Sequence, residues 1–161
     1  MKKFLIILFI AGLLVNGLKA QTRWFVSQNA SGSNNGSSWQ DAYTNMHTAL
    51  ENAQSGDSVW VAEGVYKPTT GYNRDSSFVL PSGIRLFGGF VGTEANIQQR
   101  NWQMHPTVLS GNIGNPDDST DNAYTIMYSE NPDSGTVVDG FYFRHGIANN
   151  NESSPPASSP K

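Results

Sequence analysis

The sequence predicts an all-β fold of short stacked strands, opened by a single amphipathic helix. Three observations predict it. From residue 58 onward the chain offers short runs of β-branched and aromatic residues, and nearly every gap holds Gly, Asn, Asp, Ser or Pro. No helical periodicity lies between those runs, which argues against an alternating β-α architecture. The one apolar stripe at helical spacing falls immediately before the first strong strand.

The elements follow in chain order. Residues 1–20 read as a secretory signal peptide. Lys2 and Lys3 give a basic start, Phe4 to Val15 an almost unbroken apolar run, and Ala20 a small residue at the expected cleavage point. The apolar run is too short to span a bilayer comfortably, and no second one follows, so no membrane insertion is expected after cleavage. Residues 21–148 are expected to form the folded body. Within it, 22–27 read as a short strand and 28–37 as a polar loop. Ser38 with Asp41 resembles a capping box opening a helix. Ala42, Met46, Ala49, Leu50 and Ala53 then make one apolar stripe, and Gly56 stands where a left-handed cap would close it. Strands are expected at 58–62, 65–66, 78–80, 84–87, 107–109, 124–128, 136–138 and 141–143. Residues 149–161 are Asn-, Ser- and Pro-rich and read as a disordered tail or linker.

Stacking explains the order of helix and strands. A coil of short strands cannot bury its apolar face alone, so neighbours must cover it. The first coil lacks a neighbour on its outer side and would present unpaired backbone groups. An amphipathic helix placed there is a natural plug. The last coil, left uncovered, is expected to favour self-association.

Composition bounds the function. With 161 residues and 37% hydrophobic content the chain suits one domain. The absence of cysteine excludes a disulfide scaffold, a Cys-ligated zinc site and a thiol nucleophile. Ten Lys and Arg stand against 13 Asp and Glu, for a formal charge of −3, and cleavage after Ala20 removes three lysines and no acid. Such an acidic chain is not expected to bind nucleic acid, which needs clustered cations on phosphates.

Several strings carry a family resemblance. They are Gly36-Ser-Ser-Trp-Gln-Asp-Ala-Tyr43, Ser55-Gly-Asp-Ser-Val-Trp-Val-Ala-Glu-Gly-Val-Tyr66, Ile84-Arg-Leu-Phe-Gly-Gly-Phe-Val-Gly-Thr-Glu94, Arg100-Asn-Trp102, Pro106-Thr-Val-Leu-Ser-Gly-Asn-Ile-Gly114, Asp121-Asn-Ala-Tyr124 and Val137-Val-Asp-Gly-Phe141. In that order, over about residues 24–147, they resemble the opening of secreted bacterial pectin-lyase-like proteins, including those with a polymorphic-outer-membrane-protein label. The resemblance implies a right-handed parallel β-helix, a solenoid, here truncated to an N-terminal cap and the first few coils. It also implies that catalytic groups, if the family member is an enzyme, lie on later coils.

Candidate chemistry is sparse. His47 and Glu51 lie four apart on the expected helix and read as a solvated pair rather than as metal ligands. Asp117, Ser119 and Asp121 place oxygen ligands at alternate positions and are the candidate calcium residues, without the central Gly and closing Glu of a known calcium loop. No other cofactor is expected. Asp139 reads as a corner residue of an Asp-Gly turn rather than an acid or base, since a glycosidase needs a second carboxylate about 5–10 Å away. Arg85 and Arg144 read as outward, solvated cations. Tyr66 and Tyr72 flank the Lys67–Gly71 loop, and as amphipathic aromatics they are the candidate glycan contacts.

The expectation is therefore a secreted or outer-surface, non-catalytic segment with a structural, adhesin-like or glycan-binding role, its partner an extracellular polysaccharide or cell-surface glycan. The alternative is the front part of a polysaccharide lyase or glycoside hydrolase whose catalytic coils lie beyond this chain.

Overall fold

The computed structural model of the protein describes residues 20–148. The expected leader, apart from Ala20, and the expected tail at 149–161 lie outside the described residues. Among the described residues nine strands form: β1 (Arg23–Val26), β2 (Ser58–Ala62), β3 (Gly64–Tyr66), β4 (Phe78–Val79), β5 (Arg85–Phe90), β6 (Thr107–Ser110), β7 (Met127–Tyr128), β8 (Val137–Asp139) and β9 (Phe141–Arg144). One helix, α1 (Met46–Asn52), lies between β1 and β2. Each strand falls within a few residues of a run that the sequence marks. Gly, Asn, Asp and Pro interrupt hydrogen-bonded ladders, and the β-branched and aromatic runs between them are what remains to pair.

The strands assemble into three small sheets, ordered β1-β2-β5-β8, β3-β6-β9 and β4-β7. Every strand pair is parallel. In the first sheet Trp24, Val59, Leu86 and Val138 share one ladder row, and in the second Tyr66, Leu109 and Phe143 share another. Val59 and Leu86 of the first row and Tyr66 and Leu109 of the second share a buried core with Phe78, Ile84 and Ile126. The opposite face of the first sheet is also covered near β1 and β2. Trp60 stacks on Phe90 at 4.6 Å, Trp39 meets Phe25 at 4.7 Å, and the Arg23 guanidinium lies 3.9 Å from the Trp60 ring centre.

Between β2 and β5 the register shifts, so that Trp60 faces Phe87 while Ala62 faces Phe90. Gly88 and Gly89 together stand opposite Val61, one extra residue on β5, and Gly89 sits at φ +90°, a conformation other residues rarely take. The buried Thr107 hydroxyl steadies this bulge. It accepts from Gly89 N at 2.9 Å and lies 3.3 Å from the carbonyls of both Val61 and Ala62.

The expected solenoid needs correction: no closed solenoid is present among the described residues, and the chain forms three separate small sheets instead. Strand spacing gives the physical reason. Arg23 pairs with Ser58, Ser58 with Arg85, and Arg85 with Val137, so the lengths of chain between partners are uneven where a solenoid repeats a coil of constant size. The third sheet consists of two residue pairs, Phe78 with Met127 and Val79 with Tyr128.

The helix is also corrected. It does not begin at Ser38. Ser38 and Asp41 do bond, Asp41 N to Ser38 Oγ at 3.0 Å and Ser38 Oγ to Asp41 Oδ2 at 2.9 Å, but inside a turn. Ser33 N donates to Asp41 Oδ1, and the Asn35 and Gly36 amides donate to Asp41 O. This local network satisfies the backbone without a helix. The helix starts seven residues further on, where Asn45 Oδ1 accepts from His47 N at 2.9 Å. Met46, Ala49 and Leu50 are buried, and the helix contributes them to the core. Gly56 at φ +95° belongs to the turn that precedes β2. No described helix is long and apolar enough to cross a membrane.

Candidate functional site

The residues before α1 and those after β3 face each other across a groove of about 490 Å³. The fold builds both walls by local hydrogen bonds. On one side Thr44 N donates to Asn34 Oδ1 at 2.8 Å and Asn45 caps the helix, which leaves Thr44, Asn45 and His47 along the rim. On the other side Tyr66 anchors the start of the 67–70 loop, and Gln28 Nε2 holds Val65 O at 2.9 Å. Thr69 Oγ1 accepts from Gly71 N at 3.1 Å and closes the loop on itself. The His47 imidazole bridges the walls. Its Nε2 is 2.8 Å from Pro68 O, and its ring lies 4.7 Å from that of Phe78. A carbonyl only accepts, so Nε2 is the donor in this contact. The lining combines hydroxyl, amide, imidazole and ammonium groups and contains no carboxylate.

The two tyrosines expected as glycan contacts have different environments. Tyr66 is 3% exposed, and its hydroxyl donates to Ala62 O at 3.1 Å. Burial pushes its phenol well above the usual range, so it remains a neutral donor. Tyr66 thus underlies the groove rather than offering a free ring face. Tyr72 is 72% exposed and leans on Gly114, where an added Cβ would come within 2.6 Å of its ring. The loop between them supplies Lys67, Thr69 and Thr70 to the groove instead.

The expected calcium residues lie in a run of tight turns. Asp117 is exposed, and its N–H goes to Asn115 Oδ1 at 3.1 Å. Ser119 and Asp121 bound a short 3-10 turn, capped by Asp118, which accepts from the Thr120 hydroxyl at 2.7 Å and its N–H at 2.8 Å. Those two bonds hold the Asp118 carboxyl below its ordinary range. Asp121 Oδ2 accepts from Asn115 N at 2.7 Å. Among the described residues no group of three or more His, Asp or Glu is placed to hold a metal ion.

Other candidates settle into structural contacts. Asp139 pairs with Arg100, whose guanidinium also donates to the Gly88 and Asp139 carbonyls, so this corner is clamped. Arg85 donates to Gly56 O at 3.0 Å and Gln21 Oε1 at 2.8 Å. His105 pairs with Glu63 at 2.8 Å.

Sequence reasoning missed two carboxylate clamps. Buried Asp57 accepts from Thr22 N at 2.8 Å, Trp24 Nε1 at 3.0 Å and Gln54 N at 3.0 Å. Buried Glu94 accepts from Val91, Gly92 and Thr93 N–H groups at 2.6, 3.0 and 2.9 Å. Burial alone pushes the Glu94 carboxyl up, but these backbone donors outweigh it and hold it below its ordinary range. The signal available in sequence was only an acid beside a turn glycine, Gly56-Asp57 and Gly92-Thr-Glu94. Neither carboxylate lines the groove.

Comparisons with family models, curated proteins and solved structures returned no match. The likeness to pectin-lyase-like proteins rests on the sequence strings alone.

Proposed function

We propose that this chain is an exported, non-catalytic module that binds a stretch of extracellular or cell-surface glycan in the groove between Thr44–His47 and the 67–70 loop. The observation that carries the reading is the lining. The polar residues Thr44, Asn45, His47, Lys67, Thr69 and Thr70 line one groove. Binding sites take orientation from a few such placed polar groups, and sugar hydroxyls match them as both donors and acceptors. The same lining supports binding over hydrolysis, because glycoside cleavage commonly uses a pair of carboxylates and none lines this groove. Export rests on the Lys2-Lys3 start and the apolar run that follows.

A glycan array probed with the purified secreted product tests the reading. Binding to one glycan class is expected, weakened about tenfold by Lys67→Ala, consistent with losing one charge-assisted hydrogen bond. Tyr72→Ala is expected to leave binding unchanged. Failure to bind any glycan, or turnover of a polysaccharide by this chain, overturns it.

A further inference from the structure

The loop from Gly111 to Ala123 contains three buried side-chain oxygens without a hydrogen-bond partner: Asn112 Oδ1, Asp121 Oδ1 and Asn122 Oδ1. Elsewhere among the described residues one other buried side-chain atom shares that state, Ser129 Oγ. A hydroxyl carries its own proton and can turn to suit its surroundings, whereas the three loop oxygens are pure acceptors. A buried acceptor without a partner is destabilising, so three in one loop require an explanation.

The backbone brings these residues together. Gly111 O accepts from Ala123 N at 2.8 Å, so Asn112 and Asn122 each stand one residue from the same joint. Asp121 is tied into the loop by its other oxygen, which accepts from Asn115 N at 2.7 Å. Asn122 is 3% exposed. The Asn112 amide has a fixed orientation, because its Nδ2 donates to Pro116 O at 3.0 Å and a flip would aim oxygen at oxygen. Of the neighbouring acids, Asp118 is occupied by Thr120 and Asp117 is exposed. One cation stands close: Arg74, whose Nε donates to Asn122 O at 2.8 Å and whose guanidinium lies over the Tyr124 ring.

We infer that this loop is a site for one hard divalent cation of the calcium type, held by Asn112 Oδ1, Asp121 Oδ1 and Asn122 Oδ1. Carboxylate and amide oxygens are the ligands such ions take, and water completes the shell. The set carries one negative charge and has Arg74 beside it, so affinity falls in the weak range of extracellular modules, about 10⁻⁴–10⁻³ M. The residue set differs from the alternate spacing of Asp117, Ser119 and Asp121. It keeps Asp121 and replaces the two exposed positions with amides whose side-chain oxygens are buried, a placement that the fold, not the spacing, supplies.

The test uses the full chain and calcium chloride as probe. Thermal melting in EDTA is compared with melting in calcium at about tenfold excess over the dissociation constant, where the midpoint is expected to rise by roughly 4 °C. Terbium luminescence excited through tyrosine gives a second readout, because Tyr72 packs against Gly114 in the same loop. Asp121→Asn is expected to abolish both responses, and Asp117→Asn to leave both intact. Absence of either response in the wild-type chain at 10 mM calcium overturns the inference, as does a response that survives Asp121→Asn; the three oxygens then bind water alone.

Discussion

The first and the last strands of the sheets are chemically similar, yet their edges are treated in opposite ways. The outer edge of β1 is covered. Phe25 N donates to Gly36 O at 3.0 Å, Tyr43 N to Phe25 O at 2.9 Å, and Ser27 N to Tyr43 O at 2.9 Å. The loop between β1 and α1 thus folds back and pairs with the strand it leaves. At the other side β8 and β9 end their sheets with no further strand among the described residues. The core rows register the difference. Val59 and Leu86 are fully buried, while Val138 in the same row is 39% exposed. Tyr66 and Leu109 are buried, while Phe143 is 51% exposed. Position in the ladder, not side-chain character, decides burial here, because each strand's apolar face is shielded by the next strand over.

Substitutions along a single row break or sharpen that contrast. The largest effect is expected where the covered end depends on one group. Asp57→Ala strands the Thr22, Trp24 and Gln54 donors and is expected to cost about 3–4 kcal/mol in urea unfolding. Next comes a paired comparison within the first sheet. Leu86→Ala is expected to cost about 3 kcal/mol and Val138→Ala less than about 1 kcal/mol. Equal costs would mean that the last strand is as well covered as the central one. Gly36→Ala follows, at about 2 kcal/mol, since Gly36 holds φ +74° and an added Cβ would sit 2.4 Å from the Tyr43 ring.

The exposed edge carries its own expectation. We propose that the chain self-associates there, through β8 and β9. Val138→Lys should then lower the sedimentation-derived mass at high concentration while changing stability by less than about 1 kcal/mol. A mass that does not depend on this residue contradicts the proposal. The smallest effect is electrostatic. Glu94 is held below its ordinary range in the folded chain, so its contribution is complete above the unfolded value near 4.5 and is lost as pH falls through the lower folded one. Melting temperature is expected to fall on acidification below that value, and Glu94→Gln to flatten the slope while costing about 1–2 kcal/mol at neutral pH. An unchanged slope in the variant contradicts the assignment.

Strand positions were legible because they depend on local chemistry. Runs such as Ser58-Val-Trp-Val-Ala62 pair, and the Gly, Asn, Asp and Pro between them cannot continue a ladder. The helix start was not legible, because Ser38 and Asp41 make the same side-chain contact in a turn as in a capping box, and only the Ser33, Asn35 and Gly36 amides decide between them. The sheet arrangement depends on which distant runs pair, and the uneven intervals gave no period from which to read it. The groove joins Gln28, Thr44–His47 and the 67–70 loop, which no spacing connects. The burial of Tyr66 was not legible from its loop neighbours; its place at the end of β3, after the outward Val65, puts it on the core face.

Amide hydrogen exchange followed residue by residue tests the central contrast most directly. The account predicts that the Phe25, Ser27 and Tyr43 amides are protected nearly to the level of global unfolding, while the amides of β8 and β9 on the sides away from β5 and β6 exchange far faster. Equal protection at the two ends, or rapid exchange at Phe25 and Tyr43, would contradict it.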